Sequence, residues 1–173
     1  MGDSLMTIIA IFLAVILMFL FPMLSVSERA DDISQLAVET AVTEFVDNSR
    51  AIGKVTMANY EKLVNALNAT GNSYVIEMER KVLDENVGKK TAWANGKVIG
   101  ENVTYSIYTS QILDDLLNDK DHLMKEGDYF YCSAKNDNTT MSQTLRSVFY
   151  SISSNSSYQV GADHGGTVNA TGN

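Results

Sequence analysis

The first 52 residues carry two successive helical patterns of apolar positions. Residues 5–24 are almost entirely apolar and lie in an interval free of charged residues, which begins after Asp3 and ends before Glu28. A helix of about 20 apolar residues is roughly 30 Å long, which is the thickness of the hydrocarbon core of a bilayer. The pattern therefore predicts a membrane-spanning segment. Its apolar surface is formed by Leu5, Ile8, Ile9, Ile11, Phe12, Val15, Ile16, Phe19, Leu20 and Pro22.

After this segment the helical period continues, but one face of the predicted helix becomes polar. Apolar residues recur every three or four positions, and acidic residues fill the other face. No Gly or Pro follows Pro22 until Gly53, which suits a helix C-cap. We therefore predict one helix over Leu5–Ile52, about 70 Å long, whose half 25–52 packs on the rest of the chain. The residues predicted to make that contact are Val26, Ala30, Ile33, Ala37, Ala41 and Phe45, with Leu36, Val38 and Val42 beside them.

Pro22 lies late in the membrane-spanning segment. Proline has no amide hydrogen, so the Met18 carbonyl loses its helical hydrogen bond, and the ring crowds that turn. We expect a kink or a looser turn at this position. Ordinary transmembrane helices share this feature, so Pro22 alone does not distinguish between functions.

Residues 53–163 show shorter helical and strand patterns, which are typical of an α+β domain. Helices are predicted to begin after the N-caps Thr56, Ser110 and Thr140. The predicted strands alternate apolar and polar residues and pair into a small, mostly antiparallel sheet, on which the long helix and the short helices pack. These strands are 73–83, 102–108, 129–134 and a weak 158–162. Residues 84–100 are predicted to form a polar loop, and the Gly-rich residues 164–173 a mobile C-terminal tail.

The charge and the motifs argue against several functions. The net charge is −8, and no basic stripe is present to neutralise phosphates, which argues against nucleic acid as a partner. The sequence contains no nucleotide-binding, zinc-protease or hydrolase motif, so we predict neither an enzyme nor a cofactor. The acidic run 114–121 lacks the Gly and the final Glu of an EF-hand loop, and His122 and His164 lie far apart. We therefore predict no metal site.

Cys132 is the one cysteine of the chain, so no internal disulfide is expected. No His or Asn accompanies it in the pattern of a thiol nucleophile. We predict that Cys132 is a buried strand residue.

Five Asn-x-Ser/Thr sequons are candidate glycosylation sites. In an organism that glycosylates such sites they would mark surface loops. Elsewhere they indicate a surface rich in Asn, Ser and Thr, and we favour this second interpretation because their excess over chance is slight. The sequons begin at Asn68, Asn102, Asn138, Asn155 and Asn169.

Three interpretations of residues 5–24 remain open on these patterns. A cleaved signal peptide carries basic residues before a shorter apolar core, whereas no Lys or Arg precedes this run. A plain single-pass anchor requires the apolar length alone. An anchor that also forms the core of a polymer requires, in addition, a rigid connection to the rest of the chain, and the absence of Gly and Pro between Met23 and Ile52 favours it.

The segment Met1 to Ile52, with its apolar first half, amphipathic second half and Pro22, resembles the N-terminal helix of type IV pilins and pseudopilins. The resemblance to the TadE-type pseudopilins of Tad systems is looser. The resemblance to pilins covers about a third of the chain. The modest polar head that follows the helix is also typical of this family. In this family the apolar helix holds the subunit in the membrane before assembly and forms the core of the filament afterwards.

This resemblance implies a set of partners. They are further copies of the chain, other pilin-like subunits, an assembly platform protein with its cytoplasmic ATPase, a prepilin peptidase, and the lipid bilayer before assembly. An unpaired carboxylate is costly inside an apolar core, so Asp3 is expected to set the register between subunits by pairing with the N-terminal amine of a neighbour. Alternatively, Asp3 stays in the headgroup region, where an acid also suits the start of a helix.

The sequence thus predicts a non-enzymatic filament subunit with an α+β head, held in the membrane by one span before assembly and lying on the cell surface afterwards. The alternative is a single-pass, membrane-anchored extracellular binding or sensor domain that does not polymerise. A rigid helix favours the filament subunit, and a flexible tether would favour the independent domain.

Overall fold

The computed structural model describes residues 2–83, 104–149 and 160–173, without the side chains of residues 146–149. The predicted polar loop 84–100 and the sequons at Asn102 and Asn155 lie outside these residues.

The first element, α1 (Gly2–Ile52), is one uninterrupted helix of 51 residues. Pro22 lies inside α1 and does not end it. At 1.5 Å per residue the helix is roughly 75 Å long. It ends before Gly53, whose φ of 72° lies in the left-handed region that favours glycine. The prediction of a single long helix is confirmed.

Short helices and strands follow α1 in the described part of the chain. The helices are α2 (Met57–Asn68), α3 (Thr109–Leu117) and α4 (Met141–Phe149). The strands are β1 (Lys54–Val55), β2 (Tyr74–Leu83), β3 (Thr104–Tyr108), β4 (His122–Leu123), β5 (Tyr129–Asn136) and β6 (Gly161–Thr167).

Four strands form an antiparallel sheet in the order β3-β2-β5-β6. Its central pair runs from Tyr74 opposite Asn136 to Lys81 opposite Tyr129. Strands β1 and β4 form a separate two-stranded antiparallel sheet next to the end of α1. The fold is therefore α+β, with a long apolar N-terminal helix, small antiparallel sheets and short helices, as the sequence predicts.

The core of the head lies between the second half of α1 and one face of the four-stranded sheet. In β2, Met78 and Val82 are buried, whereas Lys81 between them is exposed. Phe130 of β5 is fully buried, and its ring meets that of Phe45 of α1 edge to face, with the centroids 6.0 Å apart. Full burial of side chains of this size contributes about 1.5 to 3 kcal/mol each. These contacts hold the head on α1.

Two of the predicted helix caps are confirmed. The Thr56 hydroxyl accepts a hydrogen bond from the Asn59 amide at the start of α2, with a distance of 3.2 Å. Thr140 and Gln143 form the predicted capping box before α4. The Thr140 amide donates to Gln143 Oε1 at 3.2 Å, and the Gln143 amide donates to Thr140 Oγ1 at 3.4 Å. Each cap satisfies an amide that lacks a partner within its helix.

The N-cap of α3 is Tyr108, and the prediction of Ser110 at this position is wrong. The Gln111 side-chain oxygen accepts a hydrogen bond from the Tyr108 amide at 3.1 Å. The Thr109 hydroxyl accepts from the Met78 amide at 2.6 Å and donates to the Met78 carbonyl at 3.1 Å. These bonds attach the chain to β2, so α3 starts directly where β3 ends.

The last strand lies later in the chain than the predicted strand 158–162. It is β6 (Gly161–Thr167), paired antiparallel with β5. Residues 164–167, which were predicted to begin a mobile tail, therefore belong to the sheet. At Gly161 the packing is close, since an added Cβ would lie 2.8 Å from the backbone carbonyl oxygen of Ala134.

Candidate functional site

The first half of α1 has no cover from the described part of the head. An 18-residue apolar window of α1 contains no buried residue, and by length and composition α1 is able to cross a membrane. Of the residues predicted to form its apolar surface, Ile16 and Leu20 are half-buried and the others are exposed, with Phe12 and Phe19 at 67% and 72%. A helix satisfies its own backbone hydrogen bonds, so lipid can surround it. Exposed apolar surface on this scale marks a site that contacts a membrane or another protein.

Among the described residues of α1, burial begins at Ser27. The buried residues recur three or four positions apart and therefore share one face of the helix. This face is polar near the membrane-length segment and apolar from Val38 to Val46. Its members are Ser27, Asp31, Ser34, Val38, Val42, Phe45, Val46 and Ser49.

The polar part of this face is matched by polar groups of the head. Oδ2 of Asp31 accepts hydrogen bonds from Thr140 Oγ1, at 2.8 Å, and from Ser142 Oγ, and both donors are buried at the start of α4. One turn further along α1, Gln35 accepts a hydrogen bond from the Gly161 amide at 2.9 Å and donates one to the Gly161 carbonyl at 2.7 Å. Hydrogen-bond matching therefore determines which face of α1 lies against the head in this region.

The predicted contact stripe of α1 is wrong over its first part. Five residues that were expected to face the head are exposed, whereas the other members of the predicted set pack in the core, namely Val38, Ala41, Val42 and Phe45. At 3.6 residues per turn, these five residues lie roughly a third of a turn from the face that carries Asp31 and Val38. We call them the outer stripe. The outer stripe comprises Val26, Ala30, Ile33, Leu36 and Ala37, of which Val26, Ile33 and Leu36 are 69%, 67% and 65% exposed.

The outer stripe extends the apolar surface of α1 beyond the reach of a bilayer. From Leu5 to Leu36 the helix rises about 47 Å, whereas the hydrocarbon core of a bilayer is about 30 Å thick. When residues 5–24 span the membrane, the outer stripe lies outside the hydrocarbon core, and Ile33 and Leu36 lie about 14 and 18 Å beyond Leu24 along the helix axis. Its side chains then meet water or an apolar partner.

Asp3, the predicted register residue, is exposed in the first turn of α1. The Thr7 hydroxyl donates a hydrogen bond to the Asp3 carbonyl at 2.8 Å. An acid in the first turn interacts favourably with the partial positive charge at the start of the helix. The pairing of Asp3 with the amine of another subunit stays a prediction.

Three of the five sequons lie in the part of the chain that the structure describes. Asn68, at the end of α2, Asn138 and Asn169 are all exposed. Asn138 Oδ1 accepts a hydrogen bond from the Ser73 amide at 2.7 Å. Asn138 therefore has a structural contact of its own, which ties the loop before α4 to the start of β2.

Cys132 is fully buried in β5, as predicted. Burial raises the pKa of its thiol to about 12, because a thiolate would lose its hydration. We therefore expect a thiol reagent at pH 8 to leave the native chain unlabelled and to label it once unfolded, as measured by mass spectrometry. Rapid labelling of the native chain would contradict this burial.

The same pKa shift predicts the sign of a pH dependence. The thiol of an unfolded chain ionises near pH 8.5, whereas the folded chain keeps this proton up to about pH 12. Above about pH 8.5 the unfolded state therefore binds fewer protons at Cys132 than the folded state, and this thiol makes the free energy of unfolding fall as the pH rises.

A buried ion pair inside the head is a charged site that the sequence analysis did not identify. Arg80 Nε and Nη2 lie 2.9 and 2.6 Å from Asp128 Oδ2, and the two side chains are 10% and 4% exposed. Arg80 Nη1 donates to the Leu123 carbonyl at 2.6 Å and so joins β2 to β4. The alternation of β2 could have revealed the burial of Arg80, because this residue lies on the same face of the strand as the buried Met78 and Val82.

The two histidines contact different acidic residues. His122 Nδ1 is 2.7 Å from Asp115 Oδ2, and His164 Nε2 is 3.1 Å from Asp47 Oδ1. Within the described ranges, no group of three or more His, Cys, Asp or Glu residues is arranged to hold a metal ion.

The candidate functional surface is thus the uncovered first half of α1 together with the outer stripe. The outer stripe continues the apolar surface along the helix, with the exposed Arg29 as a charged residue among its members. Comparison of the chain with protein-family models, with curated proteins and with solved structures finds no match. The functional argument therefore rests on the surfaces of this chain.

Proposed function

We propose that this chain is a structural subunit, a pilin or pseudopilin, of an extracellular type IV-like filament that polymerises through α1. The observation that carries the proposal is the outer stripe, which continues the apolar surface of α1 past the length that lipid covers. In a monomer anchored by residues 5–24, Ile33 and Leu36 would stay in water. Copies of α1 packed side by side cover both the membrane-length half and the outer stripe.

The two parts of this surface contribute differently to assembly. The side chains of residues 5–24 leave lipid for other apolar side chains, so they gain little hydrophobic free energy and depend on close packing. The side chains of the outer stripe leave water, and each Å² of apolar area buried contributes about 25 cal/mol. The outer stripe thus supplies a driving force that the membrane segment lacks.

A subunit that leaves the bilayer needs an external source of work. The resemblance to pilins implies an assembly platform protein with a cytoplasmic ATPase, and processing by a prepilin peptidase. Copies of the same chain and other pilin-like subunits are the remaining partners, with the bilayer as the environment before assembly. The chain's net charge of −8 suits a head that stays hydrated on the outside of a filament.

Electron microscopy of material sheared from cells that express the chain tests this proposal. Mass spectrometry of the N-terminal peptide is the companion measurement. Filaments that contain the chain, with an N-terminal peptide starting at Met1 or Asp3, would support the proposal and define the register. An intact chain confined to the membrane fraction, with no filaments under any growth condition, would contradict it and favour the anchored binding or sensor domain.

Replacing Ile33 with glutamate is expected to prevent filament assembly and to leave the chain folded in the membrane. Ile33 is 67% exposed in the single chain, so a carboxylate there stays hydrated before assembly. Between packed helices the same carboxylate would lose its water, and an ion pair with Arg29, four residues earlier on α1, would offset little of that cost. We expect the yield of sheared filaments, measured by immunoblot, to fall by at least about tenfold.

Ile33→Leu is the matched control, because it keeps an apolar side chain at the same position. Its filament yield is expected to equal that of the unmodified chain. The amount of chain in the membrane fraction is expected to be the same for both variants. A filament yield of Ile33→Glu equal to that of Ile33→Leu would rule out the outer stripe as an interface between subunits.

A further inference from the structure

Arg29 is the one cation that lies among the apolar side chains of the outer stripe. Apart from Arg29, the residues before Arg50 include no Lys, Arg or His. At about 100° per residue, Arg29 lies between Ile33 and Leu36 around the helix, and all three are exposed. Two copies that bury the outer stripe between them therefore also bury this guanidinium. A buried cation is stable only beside a carboxylate, which the other copy has to provide.

Asp3 is the carboxylate that suits this position. It is exposed, and it carries the only charged side chain before Glu28. In the second half of α1, three acids already accept hydrogen bonds within their own chain, namely Asp31, Glu44 and Asp47. Asp3 is the one acid that the apolar first half of a second copy can place beside Arg29.

The face of α1 that carries Asp3 is made of small side chains. Its members follow Asp3 at intervals of four, three and four residues, so they lie on one side of the helix. We call this surface the Asp3 face. It comprises Asp3, Thr7, Ala10 and Ala14, all of which are exposed.

The outer stripe has a matching spacing of larger side chains. Starting from Arg29, the same intervals lead to Ile33, Leu36 and Thr40, which are also exposed. When Arg29 lies level with Asp3 of a second copy, Ile33 lies level with its Thr7. Leu36 then lies level with Ala10. Small side chains let two helices approach closely, so the large side chains of one copy fit over the small ones of the other.

Both hydroxyls of this contact have an acceptor within their own helix. Thr7 Oγ1 donates to the Asp3 carbonyl, and Thr40 Oγ1 donates to the Leu36 carbonyl, each at 2.8 Å. Burial of these threonines between two copies therefore leaves neither hydroxyl hydrogen without a partner. The carboxylate and the guanidinium are the groups that still need each other.

This pairing leaves room for both heads. It displaces the second copy by the 26 residues from Asp3 to Arg29, about 39 Å along the axis. The buried residues of α1 extend from Ser27 to Ser49 in the described part of the chain. Ser27 of the second copy lies level with Gly53 of the first, just past the end of α1. The segments of α1 that the two heads cover therefore follow one another without overlap.

Outer stripes packed against each other in register would not satisfy Arg29. Anchored copies lie parallel in the membrane, so this arrangement brings the two Arg29 guanidiniums together, and like charges repel. It is also symmetric and closes at two copies, whereas a contact between two different surfaces continues from copy to copy. A filament needs the second kind of contact.

We propose that the outer stripe of one copy packs on the Asp3 face of a second, parallel copy displaced by about 39 Å, with Arg29 paired to Asp3. The ion pair sets the register, and the apolar and small side chains form the rest of the contact. This inference rests on the proposed filament function and defines the interface between its subunits. It gives Asp3 a different partner from the N-terminal amine that the sequence analysis expects.

Charge reversal tests the ion pair, with the yield of sheared filaments measured by immunoblot. Arg29→Asp places two acids together between copies, so the yield is expected to fall at least about tenfold. Adding Asp3→Arg restores opposite charges, and the yield is expected to return to within about threefold of the unmodified chain. The control adds Glu61→Arg instead, which restores the net charge on the exposed side of α2 and is expected to leave the yield low.

Zero-length cross-linking identifies the partner of Asp3. Arg29→Lys keeps the positive charge and supplies an amine, which a carbodiimide joins to a carboxylate in contact with it as an amide. In sheared filaments of this variant we expect a cross-link between Asp3 and position 29, read by mass spectrometry. The two positions lie about 39 Å apart in one helix, so this cross-link joins different copies. A cross-link of Asp3 to the N-terminal amine, with none to position 29, would overturn the proposal.

The outcomes separate this interface from the filament function. Filaments of the unmodified chain whose yield is unchanged by Arg29→Asp would overturn the interface and leave the filament function standing. A double variant that assembles no better than Arg29→Asp alone, or no better than the Glu61→Arg control, would also overturn the interface. A complete lack of filaments from the unmodified chain would instead contradict the filament function, on which the interface rests.

Discussion

Replacing Asp128 with alanine is expected to lower the free energy of unfolding by about 3 to 5 kcal/mol. Its Oδ2 accepts hydrogen bonds from Arg80 Nε and Nη2, at 2.9 and 2.6 Å, and from the Lys125 amide at 2.9 Å. Without this carboxylate the buried guanidinium keeps the Leu123 carbonyl and the His122 ring as contacts. Neither the Leu123 carbonyl nor the His122 ring carries a negative charge. A buried charge left without its partner is among the costliest changes a core can undergo.

Chemical unfolding of the full chain in detergent micelles measures this loss, with the near-ultraviolet circular dichroism of the tyrosines as the signal. Asp121→Ala is the matched control, because it removes a carboxylate from the exposed ion pair of Lys54 and Asp121, whose atoms lie 2.9 Å apart. Water solvates Lys54 after that change, so a loss of less than about 1 kcal/mol is expected. Equal losses in the two variants would contradict the burial of the Arg80–Asp128 pair.

The elements of this fold were predictable because the forces that set them act over a few residues. The continuity of α1, the N-cap Thr56 and the alternation of β2 each depend on neighbours at most four positions away. All three are confirmed. The membrane-length segment was equally predictable, since a helix that is apolar all round needs lipid or other apolar surfaces on every side.

The orientation of α1 was not predictable, because it depends on residues far along the chain. Thr140 and Ser142 lie 109 and 111 positions after Asp31. Periodicity places the most apolar side of a helix inward, but the head binds the side that carries Asp31. The ion pair of Arg80 was not predictable for the same reason, since its partner Asp128 lies 48 positions away. Alternation places Arg80 on the buried face, but composition alone classifies an arginine as exposed.

The difference between the predicted and the observed orientation of α1 decides which surface is available for assembly. With the predicted orientation, the head would have covered Val26, Ile33 and Leu36, and the uncovered surface would have ended with the membrane-length segment. With the observed orientation these side chains point outward and continue that surface. The case for a polymer therefore depends on which face of α1 carries Asp31.

Replacing Gly53 with alanine is expected to lower the free energy of unfolding by about 2 to 5 kcal/mol. The φ of Gly53 is 72°, and this left-handed conformation costs a residue with a Cβ about 1 to 2 kcal/mol. The new Cβ would also lie 2.5 Å from the Gly172 nitrogen and closer still to the Ala170 carbonyl oxygen. Both are backbone atoms, so the last residues of the chain would have to move, at a further cost of about 1 to 3 kcal/mol.

Gly71→Ala separates these two contributions. The φ of Gly71 is 80°, and no other atom lies within 4 Å of an added Cβ, so this variant carries the conformational cost alone. Unfolding of both variants in the same micelles gives the difference. The close approach at Gly53 exists because the Asn169 amide donates to the Arg50 carbonyl at 3.0 Å, and the Gly172 amide to the Met124 carbonyl at 2.9 Å. If Gly53→Ala loses more unfolding free energy than Gly71→Ala, the C-terminal residues, which were predicted to form a mobile tail, stabilise the contact between the head and the end of α1. Equal losses would show that they do not.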